Sequence, residues 1–457
     1  MLGFSFRRRV PRTRHCVPGT RCAPGTRHCV PHARLDATRA RLDSAGFGKN
    51  RFEGVIGRFL MTSWAVLVPL ASGLLADEQW LGFRGDGTNA AEVAGPEKLS
   101  GDDAPKFRWK TDMPGDSVAG PIVVGDQVIS SSSGGQDGEV LFITSVSLAD
   151  GHKLWQQQFQ ATGRPYCHPT SANAAPTAVS DGERIVVLYS SNDLVCVDRT
   201  GKLIWLRGLA VDYPKLGNDI GLASSPIIAD GVVIVQVECQ GAPLAVGVDL
   251  QTGKNLWKID RPSQSNWASP VAIKRTDGST DVVLQSRSGV SAIDPKTGNP
   301  KWELDEGFSA VSSPTPTDKL LILPGDQLVA LNYAESATQP EEVWRASGLT
   351  PQSASAVVGG GRVYSLKGSV LVAGDLATGE KIWNRRLGKL RGTWATPVLA
   401  GKRLYVFDQS GKGVVVEDTG DEGTVVDEVE LPSGVLGSPA MVDGKLVVRT
   451  RDSLYCF

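Results

Sequence analysis

The residues of this chain able to do chemistry collect in a few short stretches. Residues 163–176, GRPYCHPTSANAAP, carry Tyr166, His168 and Asn173. Further on come Asn218 and Asp219, Glu238 and Gln240 in VECQGA, Asn266 and Trp267, Gln285 and Arg287, and Trp394. These side chains offer hydrogen-bond donors, acceptors and aromatic faces, the chemistry of a ligand pocket or a docking surface. Glu238 stands out, because a carboxylate directly after the apolar run VVIVQV is an odd choice for solubility alone. Glu238 and Asp219 are also oxygen donors of the kind calcium takes. Polar loops equally suit a solvated protein end, so the pattern has two readings until the elements that place it are known.

Other chemistry finds little support. Beyond residue 60 the only histidines are His152 and His168, and no thiols stand at zinc-ligand spacing, so no metal site is expected. There is no P-loop, no G-x-S-x-G elbow and no H-E-x-x-H, and GFRGDG has the wrong glycine spacing for a dinucleotide loop. No catalytic residue is assigned. Cys167 and Cys239 could pair in an oxidising compartment, but spacing cannot show their distance and they are expected to be free.

The charge balance is uneven. Residues 1–60 carry twelve Arg and one Lys against Asp36, Asp43 and Glu53, whereas the whole chain sums to −1. The rest is therefore acidic, which argues against a nucleic-acid partner. The basic head, with Cys16, Cys22, Cys29, His15, His28 and His32, has no apolar periodicity and reads as a disordered tail or an upstream start. Residues 61–76, MTSWAVLVPLASGLLA, have signal-peptide length and are too short to span a bilayer, so an exported, periplasmic protein with no membrane span is expected. No Cys follows where a lipid anchor would need one.

The elements that position the candidate residues come from a repeat. ADGHKLW, RTGKLIW, DLQTGKNLW, KTGNPKW and ATGEKIW end at Trp155, Trp205, Trp257, Trp302 and Trp383, each with Gly four residues earlier. Trp344 marks a copy that has lost the Gly, and residues 419–431 one that has lost the Trp. Out of phase runs a second series: AGPIVV, AAPTAV, SSPIIA, ASPVAI, SSPTPT, SASAVV, ATPVLA and GSPAMV, marked by Pro121, Pro176, Pro226, Pro270, Pro314, Ala356, Pro397 and Pro439. Each opens a unit of four short β-rich runs about 45 residues long, the pattern of a propeller blade. The last unit stops after its third run at Phe457, while Trp109 heads an orphan run at the front. Joining the two closes the ring. The expectation is an all-β protein, one eight-bladed propeller of four-stranded antiparallel blades over residues 109–457, preceded by an extended segment, 77–108.

In that architecture the Trp fills the widening gap between blades rather than stacking on a ligand. Cys196 and Cys456 share a third-strand slot with Gly247, Ala292, Ala330 and Ala373, so both are expected to be small buried fillers. The candidate residues fall on connections that share one face, which brings them to one mouth of the central channel.

Eight units with A-x-D-x-x-T-G-x-x-x-W resemble the pyrroloquinoline quinone (PQQ) repeat family, which includes the quinoprotein alcohol dehydrogenases and the assembly factor BamB. The resemblance covers residues 109–457, and Trp80, Phe83, Arg84 and Gly85 are similar to a W-x-x-F-R-G found near the mature start of exported members. It implies either of two functions. One is a non-catalytic binding or assembly scaffold like BamB, a monomer with no cofactor that receives a protein or small polar ligand at the mouth. The other is an oxidoreductase with PQQ and calcium there. The dehydrogenases of the family carry two adjacent Cys against the cofactor and longer insertions; neither exists here, and the scaffold is the expected reading.

Overall fold

The computed structural model describes residues 79–457 apart from 103, 218 and 334–338. These lie in the second of two compact units, Ser72–Phe457. The basic head, the signal-like run and Asn218 therefore fall outside the described residues. Eight sheets make an eight-bladed β-propeller, each blade a four-stranded antiparallel meander read from the channel outwards. Blade 1, for example, runs Ile122–Val124, Gln127–Gly134, Val140–Ser147 and Lys153–Gln160. Blade 3 runs Ile227–Ala229, Val232–Val237, Leu244–Asp249 and Asn255–Asp260.

Blade 8 is closed by the front of the chain. Trp109–Asp112 pairs antiparallel with Ser453–Cys456, Trp109 opposite Cys456 and Asp112 opposite Ser453. The closure removes the two open edges that an unclosed array would leave.

Alternation along each strand sends successive side chains to the two neighbouring blades, so the core is a ring of clusters between blades rather than one centre. Val128 and Val146 of blade 1 pack with blade 8, while Ile129 and Ile143 pack with blade 2. Trp205, Trp257, Trp302, Trp344 and Trp383 are all buried in such clusters. Four of these five are pinned to the next blade through the indole N–H, whereas Trp302 Nε1 is buried without a hydrogen-bond partner. Trp205 Nε1 donates to Leu250 O at 2.9 Å, Trp257 to Pro295 O at 2.8 Å and Trp344 to Leu376 O at 2.8 Å. The repeat Gly has two duties. Gly298 sits at φ 71°, and a Cβ there would stand 2.7 Å from the Trp257 ring of the preceding blade. Glycine is required both for the turn and for the indole to lie flat against it.

Residues 80–91 do not run extended across the outside. They turn and enter the end of the channel opposite the mouth, touching the inner strands of five blades. Trp80 exchanges two backbone hydrogen bonds with Val123 of blade 1, and Leu81 O accepts from Ser180 N of blade 2. Arg84, 1 % exposed, donates to Thr315 Oγ1 and Pro314 O of blade 5. Thr88 O accepts from Val358 N of blade 6, and Ala90–Ala91 pairs in parallel with Val398–Ala400 of blade 7. The physical reason is the inner edge of each blade, whose backbone groups face the channel and need partners.

Candidate functional site

The mouth of the channel is a cup of about 400 Å³. Its floor is Phe83, carried in from the front of the chain, and Val118, Ile220, Trp267, Val311, Trp394 and Leu436 form much of its wall. Small residues such as Ala175, Ala223 and Gly437 leave the space open. Trp267 is held by Nε1 donating to Gly221 O at 2.7 Å. Trp394 and Ile220 are 46 % and 47 % exposed at the rim.

Below the rim lies a ring of hydroxyls. Ser225 N donates to Ser269 Oγ at 2.9 Å, Ser269 N to Ser313 Oγ at 2.9 Å and Ser313 N to Ser355 Oγ at 2.9 Å. Ser355 N reaches Thr396 Oγ1, Thr396 N reaches Ser438 Oγ, Gly120 N reaches Thr177 Oγ1 and Thr177 N reaches Ser225 Oγ, all within 3.1 Å. Each oxygen accepts a backbone N–H from the preceding blade and keeps its own proton to donate. Blade 1 contributes Gly120 at this level because a Cβ there would stand 2.4 Å from Ser438 O. The ring also corrects a register. Val179 pairs with Val186 as Ile227 pairs with Ile234, so Thr177 occupies the place of Ser225, and Ala178 rather than Pro176 stands in the proline slot.

Sequence reasoning named Phe83 only as part of the W-x-x-F-R-G stretch, not of the site, and did not single out the hydroxyl ring. The signal existed as the Ser or Thr that recurs just ahead of the proline slot, which reads as an ordinary turn residue until the blades are placed side by side.

The residues chosen from sequence divide three ways. His168, Trp267 and Trp394 line the cup. His168 Nδ1 is 2.8 Å from Thr170 Oγ1, and its backbone N–H donates to Ile220 O. Tyr166, Asp219, Gln240 and Arg287 lie outside the cup wall. Tyr166 is 47 % exposed with the Arg164 guanidinium 4.7 Å from its ring centroid, Arg287 is exposed, and Asp219 accepts the Gln240 N–H and the Ser265 hydroxyl. Asn173, Glu238, Asn266 and Gln285 are buried within the ring of blades.

Those four work as interior brackets. Asn173 donates to Gly138 O at 2.9 Å and accepts from Ser191 N at 2.7 Å, joining blades 1 and 2. Gln285 Nε2 donates to Ser309 O and Ser312 O, and the Gln285 backbone carbonyl oxygen accepts from both Gln236 Nε2 and Asn266 Nδ2. Glu238 Oε1 accepts from Arg261 Nε at 2.8 Å and from Gln236 Nε2 at 3.0 Å. Burial pushes the Glu238 carboxyl above its ordinary range, with Arg261 opposing. The odd carboxylate after the strand VVIVQV is thus half of an inter-strand ion pair at the flank of blade 3.

Among the described residues no group of three or more His, Cys, Asp and Glu is placed to hold a metal ion. Cys167, Cys196, Cys239 and Cys456 are free thiols, and Cys196 and Cys456 are fully buried, as small fillers of their slot. No helix among the described residues is long and apolar enough to cross a membrane.

The family model described as outer membrane protein assembly factor BamB matches residues 101–266, 143–333, 244–393 and 366–457, which together span the whole propeller. Outer membrane protein assembly factor BamB of Salmonella typhimurium is 24 % identical over 301 residues, 51 % of this chain and 74 % of that protein. Among solved structures, BamB from Moraxella catarrhalis aligns with a TM-score of 0.59 at 19 % identity, covering 77 % of this chain and 96 % of its own. Quinohemoprotein alcohol dehydrogenase from Comamonas testosteroni aligns with a TM-score of 0.63 at 13 % identity, covering 83 % and 80 %. At these identities the structural likeness shows the fold alone.

Proposed function

Because this chain belongs to the PQQ-repeat propeller family whose model is described as outer membrane protein assembly factor BamB, we propose that it is an exported, non-catalytic scaffold that docks a protein partner at the channel mouth. The observation that carries this reading is the cup itself. It is walled by aromatic and aliphatic side chains that continue onto the exposed rim as Trp394 and Ile220, the organisation of an interface centre rather than of a reaction site. The name of the Salmonella relative, an assembly factor, supports the same class of role and an envelope location.

The donor set does not suit a quinone held with calcium. The cup lining contains no carboxylate and no guanidinium, whereas calcium takes six to eight oxygen ligands with carboxylates prominent among them. Glu238 is committed to Arg261, and Asp219 to Gln240 and Ser265.

The test is position-specific cross-linking in cells. A photoreactive amino acid in place of Trp394 or Tyr166 should capture a discrete partner. The same residue at exposed Asp277, in the turn between the first and second strands of blade 4 on the opposite face, should not. Saturable binding of added PQQ and Ca²⁺ with dye reduction by the purified protein would sink the non-catalytic reading.

A further inference from the structure

The chemistry of the cup narrows what can enter it. Of the residues lining it, His168 is the single titratable one, and the rest are apolar, small or hydroxyl-bearing. A charged ligand would lose its hydration there without a countercharge, which is costly. What the cup does offer is two indoles, an apolar floor and O–H donors around the throat. A volume of about 400 Å³ lies near the low end of the roughly 300–1,000 Å³ range of ligand pockets, room for one or two rings.

We infer that the cup receives an uncharged aromatic side chain from a loop of the docked partner, its ring against Trp267 and Trp394 and a neighbouring oxygen on the hydroxyls of the throat. This rests on the reading of the mouth as a docking face. The source is a protein side chain rather than a free compound because the apolar surface does not stop at the cup. Ile220 and Trp394 stay nearly half exposed at its lip and Tyr166 is as exposed outside it, which a buried small molecule would leave uncovered and a partner surface would cover. Exclusion of charge then acts as selection, since an acidic or basic side chain of similar size is refused.

The probe is N-acetyl-tryptophanamide, with the capped amides of Glu and Lys as controls, read by saturation-transfer NMR on the full chain. The tryptophan probe should saturate, and the charged controls should bind at least tenfold more weakly. Ala223→Phe fills the cup, and Ile220→Asp places a charge on an exposed lip where folding is not at stake. Each should weaken the probe at least tenfold and abolish the cross-link from position 166. Equal binding of the charged controls, or unchanged probe binding in both variants, overturns the inference. A cross-link that persists in both variants overturns the anchor while the docking face stands. Absence of any mouth-specific cross-link in the otherwise native chain overturns the docking face itself.

Discussion

At the scale of single residues, the informative surprise is Glu238. Its position after an apolar strand drew attention as a site, and the structure makes it a buried bracket with Arg261, a fully covered carboxylate whose pKa is raised by burial. A raised folded-state pKa means the native protein holds the proton more tightly than the unfolded chain. The associated stability is complete below the ordinary carboxylate pKa and is lost as pH rises through the folded value. Glu238→Gln, locked in the neutral form, should therefore match the native protein in acid and equal or exceed it at neutral pH. Arg261→Met removes the opposing charge, drives the carboxyl higher still and should cost about 3–5 kcal/mol at neutral pH. Urea unfolding of both variants across about pH 4 to 8 checks the sign. An Arg261→Met protein least stable in acid would contradict it.

At the scale of elements, blade closure makes a quantitative claim. Trp109 stands at the start of the propeller and Trp257 in the middle of the chain, yet both are buried and both donate their indole N–H to the next blade, Trp109 to Leu148 O at 3.0 Å. In a closed ring there is no end blade to fray, so Trp109→Ala and Trp257→Ala should each cost about 3–5 kcal/mol and by similar amounts. A Trp109→Ala protein of native stability would show the closing strand to be dispensable. The repeat made this legible in advance: a missing fourth run at one end and a spare one at the other leave closure as the arrangement without open edges. The one misplacement, Pro176, arose because blade 2 carries its proline two residues ahead of the slot, which Ala178 occupies.

At the scale of the molecule, the front of the chain makes the mouth a blind cup. Trp80 is buried on blade 1, Phe83 forms the cup floor and Arg84 anchors to blade 5, so one segment both bridges blades and shapes the site. Deleting residues up to 91 should lower stability by at least about 3 kcal/mol, since it removes the buried Trp80 and exposes the apolar inner strands beneath it. It should also abolish probe binding. Retained stability with lost binding would assign the segment to the site alone, and the reverse would assign it to the scaffold alone. Urea midpoints and the NMR titration separate the two.

Composition and spacing alone determine that this chain is a propeller of eight blades, because each unit must repeat the same turn glycine and the same gap-filling indole to pack against its neighbours. They also bring Trp267, Trp394 and His168 to one face, since the connections that carry them all lie at the same end of the strands. Tertiary structure alone decided which polar residues face the cup and which are brackets. Alternation assigns a side chain to one flank of its blade or the other, but only the neighbouring blade determines whether that flank is channel, rim or interior. The hydroxyl ring likewise exists only when eight inner strands stand side by side. A serine or threonine that looks like a turn residue in its own repeat becomes, in seven of the eight blades, a donor aimed at the same axis.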